Sequence, residues 1–94
     1  FILFVGTVEP RKNLATLLDV MEGLRRDLGE RVPGLVVVGG YGWSAKGLAA
    51  RLWRTPHTKW LTRVRDADLS ILYRAALFTV SPSHSEGWGL PVQE

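Results

Sequence analysis

Four short apolar runs alternate with amphipathic stretches along this chain, and that alternation limits its fold more than any other feature. The runs are "FILFVG" (1–6), "LVVVGG" (35–40), "KWLTRV" (59–64) and "LFTVS" (77–81). Most are apolar on successive rather than alternate residues, the pattern of parallel strands buried on both faces. Between the first two, Leu14, Leu17, Leu18, Met21, Leu24 and Leu28 recur at helical steps. They predict an amphipathic helix that Asn13 caps and Gly29 ends. Leu48, Ala49, Leu52 and Trp53 predict a shorter second helix. Leu69, Leu72, Tyr73 and Ala76 predict a third, with Asp66 or Asp68 near its start, where negative charge suits the helix dipole.

The resulting order, βαβαβαβ, predicts an α/β domain with right-handed crossovers: a Rossmann-like, doubly wound parallel sheet in strand order 3-2-1-4. Strands 1 and 4 are then neighbours at the switch point, where ligands bind outside the carboxyl ends of the strands. Two loops face that crevice, "GTVEPRKN" after the first strand and "SPSHSEGWGLP" after the fourth.

Composition narrows the function classes. A chain of 94 residues, 46% hydrophobic and 22% charged, is one soluble globular domain or part of one. It has no cysteine, so neither a disulfide frame nor a thiolate metal site is available. No apolar run nears the roughly 20 residues that span a bilayer, and no signal-peptide pattern opens the chain. The expected location is cytoplasmic. The net charge is +3, but the basic residues are mostly scattered singly, which argues against nucleic acid. That charge is compatible with an anionic small ligand, or with peripheral contact at the inner face of a membrane. Phe1 begins inside a strand-like run and Glu94 falls one turn into a new helical pattern; the expectation is a piece of a larger, two-domain protein.

In the first loop, Gly6 permits a sharp turn off the strand and Pro10 stiffens the path. Arg11 and Lys12 then precede the helix N-terminus. Two cations beside unpaired N–H groups make an anion site suited to a diphosphate. In the second loop, Gly87 and Gly89 let the backbone around Trp88 fold tightly and present its N–H groups. Pro91 fits the first helical position, which leaves Glu86 at the crevice and Glu94 one turn into the helix. Carboxylates accept strongly from sugar hydroxyls, so the pair is placed to hold two ends of an extended ligand. Glu94 serves equally well as a simple dipole complement.

The remaining signals are weaker. "GYGWSA" fits a G-x-G-x-x-A dinucleotide fingerprint through Gly40, Gly42 and Ala45. It follows the second strand, and no acid ends the next one to hold a ribose. It reads as tight-turn chemistry, with Trp43 near the site. His57 is expected to face solvent, and His84 is a lone histidine with no triad around it, not a catalytic base.

Together "FVGTVEPRKNL", "LVVVGGYGW", "VRDADLSILYRAA" and "SPSHSEGWGLPVQE" resemble the retaining nucleotide-sugar glycosyltransferases of family 4, group 1, in their mannosyltransferase-like branch. The matching part is the C-terminal, donor-binding half of the GT-B fold, and the E-x7-E element of Glu86 and Glu94 carries it most specifically. The resemblance implies a nucleotide-diphospho-sugar donor, GDP-mannose or a UDP-sugar, with no cofactor and no metal. The acceptor, a sugar or glycolipid, would come through an N-terminal domain, and the domain alone is expected to be inactive. By the same resemblance, Lys12 neutralises the donor diphosphate with Arg11 and Gly6 beside it. Glu86 sits by the transferred sugar, Glu94 binds the ribose, and the Gly87-Trp88-Gly89-Leu90 backbone meets sugar and phosphate. Two departures stand out. Thr7 replaces an arginine common after the strand-1 glycine, which leaves the phosphate charge to Arg11 and Lys12. Thr62-Arg63 replaces a usual Gly-Tyr by the base, where Arg63 and Val64 are the expected donor-binding residues. A non-catalytic nucleotide-binding module and a dinucleotide-binding Rossmann domain are the alternatives.

Overall fold

The structure, a computed structural model, describes residues 1–42 and 45–80. In chain order the elements are β1 (Ile2–Val5), a 3-10 turn (Pro10–Lys12), α1 (Leu14–Leu28), a second 3-10 turn (Gly29–Arg31), β2 (Leu35–Val38), α2 (Lys46–Arg54), β3 (Thr58–Leu61), α3 (Asp66–Ala75) and β4 (Phe78–Val80). The four strands form one parallel sheet in the order β3-β2-β1-β4, the order expected from the alternation of runs. Ile2 lies opposite Leu35 and Phe78, and Phe4 opposite Val37 and Val80.

Side chains alternate across a strand, so Ile2, Phe4, Leu35, Val37 and Trp60 share one face. They are buried in one cluster with Leu14, Leu17, Leu18 and Met21 of α1 and Ala49 and Leu52 of α2. Both helices cover this face because the β1-to-β2 and β2-to-β3 crossovers step in the same direction, and right-handed connections then leave the sheet on the same side. Arg51 of α2 ties the two helices together, donating to Asp19 at 2.5 Å with Glu22 at 3.7 Å. The crossover from β3 back to β4 reverses direction and puts α3 on the opposite face, against Leu61. No residue of α3 is buried.

Helix ends follow the sequence in part. Gly29, at φ 60°, closes α1 and donates its N–H to Arg25 O, as expected of a glycine that tolerates positive φ. Asn13 occupies the N-cap position but makes no side-chain cap. The Pro10–Lys12 turn immediately before it forces the difference. Asn13 closes that turn in the left-handed region, φ 58° and ψ 30°, which asparagine tolerates. Its Oδ1 instead accepts from Thr16 Oγ1 at 2.6 Å. Asp66 and Asp68 stand in the first turn of α3, and His57 is exposed, both as read from the sequence. Among the described residues no helix is long and apolar enough to cross a membrane.

Candidate functional site

β1 and β2 end side by side, and their pairing runs on into the loops beyond. Gly6 N–H donates to Val38 O at 2.8 Å, Val8 N–H to Gly40 O at 2.9 Å, and Gly42 N–H back to Val8 O at 2.9 Å. Val8 and Tyr41 form a parallel bridge. The sharp turn expected at Gly6 is therefore displaced: the ladder continues through Val8, and the chain turns only where Pro10 opens the 3-10 turn. The glycine that close approach requires is Gly39, where an added Cβ would fall on the Gly6 carbonyl oxygen.

This zipped pair of loops carries the basic residues. Lys12 is half-buried, and its Cδ lies 4.0 Å from where a Cβ on Gly6 would stand. Its alkyl stem thus runs back along the end of β1. The backbone of Arg11 belongs to the same turn; its side chain lies outside what is described. The helix α1 starts two residues beyond Lys12, with its first-turn N–H groups unclaimed by the helix itself.

At the end of β3 the surface is open. Arg63 and Val64 line a cleft of about 400 Å³ with Leu61, Arg65, Asp68 and Leu72. Arg65 Nε donates to Asp68 Oδ2 at 3.1 Å across its rim. An apolar floor under a charged rim suits a flat ring with polar edges. Strands in a sheet lie about 4.8 Å apart, so the β1 and β3 ends, with β2 between them, are separated by about 10 Å. β4 ends at Val80, opposite Phe4, and so at the β1 side of the same sheet edge. Glu86, Gly87, Trp88, Gly89, Leu90 and Glu94, with His84 and Pro91, lie outside the described residues, as does Trp43. Among the described residues, no three His, Asp or Glu side chains are grouped to hold a metal ion.

The family model of the glycosyl transferases group 1 matches residues 1–94. The chain belongs to that family. It is 39% identical, over an alignment of 97 residues, to the O-antigen chain mannosyltransferase B of Escherichia coli, covering 100% of this chain and 25% of that protein. It is 34% identical over 96 residues to the serotype-specific mannosyltransferase WbdA of Escherichia coli, covering 98% of this chain and 12% of the relative. The chain thus spans a quarter or less of the length of these relatives.

In this group 1 glycosyl transferase domain one of the two "GYGWSA" glycines, Gly42, has a packing role, whereas a Cβ on Gly40 would meet nothing within 4 Å. A Cβ on Gly42 would stand 2.5 Å from Thr7 Cγ2 and 2.9 Å from both Cβ and Oε2 of Glu9. Gly42 makes room for the neighbouring loop, which agrees with the tight-turn reading rather than with a dinucleotide cradle. Trp60 Nε1 donates to Gly39 O at 2.8 Å, and Tyr41 stacks on Trp60 at 6.4 Å, so aromatic packing braces the second loop. Two residues were not read from the sequence as belonging to the site. Glu9 sends its carboxylate inward, with Oε1 buried, and Asp68 lines the β3 cleft. The only sequence signal for Glu9 was an acid directly before Pro10, in a loop otherwise read for its cations.

Proposed function

We propose that this domain holds the nucleotide-diphospho-sugar donor, GDP-mannose, of a retaining mannosyltransferase with the two-domain GT-B architecture. One observation carries the reading: the Lys12 turn and the open Arg63–Val64 cleft share one sheet edge, about 10 Å apart across β2, a distance that a nucleoside diphosphate can bridge. Family membership and two relatives named as mannosyltransferases support mannose over other sugars. A UDP-sugar is the alternative donor.

In this reading the diphosphate sits at the β1 end, and the base enters the β3 cleft. The leaving group in sugar transfer is the nucleoside diphosphate, whose terminal phosphate gains negative charge as the bond to the anomeric carbon breaks. Lys12, with Arg11 as the second cation of the same turn, would stabilise the developing charge more than the ground state. The two cations offset the negative charge that a metal ion would otherwise neutralise. Glu86 accepts from hydroxyls of the transferred sugar, Glu94 from the ribose, and the Gly87-Trp88-Gly89-Leu90 backbone donates to sugar and phosphate. The acceptor, a sugar or glycolipid, is presented by a second domain across the cleft. A cytoplasmic site of action, at the inner membrane face where a glycolipid acceptor would lie, belongs to the same reading.

Calorimetry on the full-length protein with GDP, UDP and NAD tests it, together with NMR of the product formed from GDP-mannose. GDP should bind in preference to UDP, NAD should not bind, and the product should keep the donor's anomeric configuration. Binding of NAD without GDP, or an inverted product, would overturn it.

A further inference from the structure

We infer that Glu9 is a positioning residue for the diphosphate site, setting the turn that aims Lys12, with Gly42 as the seat for its side chain. The inference rests on the placement of the diphosphate proposed above. Glu9 opens the Pro10–Lys12 turn from an extended backbone, φ −156° and ψ 157°, and its carbonyl accepts the Lys12 N–H at 3.1 Å. Its neighbour Val8 is held on both sides by the second loop, through Gly40 O and Gly42 N–H. Its half-buried side chain keeps Oε1 away from water, and Cβ and Oε2 fill the space that any side chain at residue 42 would need. Glu9 is thus pinned between the two loops, three residues before Lys12.

A carboxylate here has two costs. It loses water when buried, and it repels the phosphate its own loop is proposed to bind. An incidental acid would face solvent and would weaken anion binding, so its removal would tighten it. A positioning acid predicts the reverse sign. Without it the turn loosens, and Lys12 must be ordered at the moment of binding, against its side-chain entropy.

The test is a double-mutant cycle in the full-length protein, read as the Kd for GDP by calorimetry. Glu9→Gln, which keeps the shape, should weaken GDP by about threefold; Glu9→Ala and Gly42→Ala, which lose or block the seat, by about 5- to 20-fold. In a Lys12→Ala background the Glu9→Gln loss should shrink to less than about twofold, because the residue it positions is gone. Equal or tighter GDP binding by Glu9→Gln would overturn the inference, since charge repulsion would then be its only effect. Undiminished loss in the Lys12→Ala background would also overturn it, by showing a general effect on the fold. If Lys12→Ala itself leaves GDP affinity unchanged, the placement of the diphosphate fails first and takes the role of Glu9 with it.

Discussion

The two ends of the crevice are built differently. At the β1–β2 end, backbone meets backbone: three hydrogen bonds beyond the strands join the loops, and Gly39 passes so close to Gly6 that no side chain fits between them. At the β3–α3 end, side chains line an open cleft, and α3 above it buries no residue. The first end tolerates little change, because main-chain contacts leave nothing to repack. The second can change its lining without disturbing the sheet. In the proposed donor site, the phosphate end would then serve any nucleoside diphosphate and the base end would set which one enters.

Substitutions at the two ends should differ in effect, and the largest is expected at Gly39. Gly39→Ala drives a Cβ into the Gly6 carbonyl and should cost roughly 3 kcal/mol or more, read as loss of the cooperative melt. Gly40→Ala, one residue on, meets nothing within 4 Å and should stay within about 0.5 kcal/mol of wild type. Similar melting of the two variants would mean that the loops are not held by close approach.

The glutamate pair should come next. With Glu86 beside the transferred sugar as proposed, Glu86→Gln should lower turnover by about 100-fold with little change in GDP binding. With Glu94 at the ribose as proposed, Glu94→Gln should weaken GDP itself by about tenfold and spare turnover at saturation. Equal loss of GDP binding in both would make the pair one local site rather than two ends of a donor. The smallest effect is expected at the exposed Arg63. Arg63→Ala should change GDP affinity by less than about fivefold, yet shift the ratio of GDP to UDP binding. An unchanged ratio would remove base selection from the β3 cleft.

The sheet was legible because its signal is local: apolar runs of strand length, separated by helical spacing, leave few topologies once crossovers are right-handed. The place of Lys12 just before α1 was legible because a cation before a helix start is a pattern in one dimension. The partnership of Glu9 with Gly42 was not, since it depends on how two loops align once β1 and β2 are in register. Asn13 misled for a similar reason. It looks like an N-cap until the turn before it is known, and then its left-handed backbone turns it to closing that turn. The weak burial of α3 was also hidden, because its apolar spacing matches that of a helix with a fully covered face, and only the structure shows Leu69, Leu72, Tyr73 and Ala76 no more than half-buried.

In the proposed binding mode the phosphates, and not the base, lie against the Lys12 turn. Binding of GDP, GMP and guanosine to the full-length protein and to Lys12→Ala tests it most directly. Wild type should hold GDP more tightly than GMP. Lys12→Ala should weaken GDP by about 10- to 100-fold, erase most of the gap between GDP and GMP, and leave guanosine unchanged. A variant that loses the same factor for all three ligands, or for none, would contradict the account.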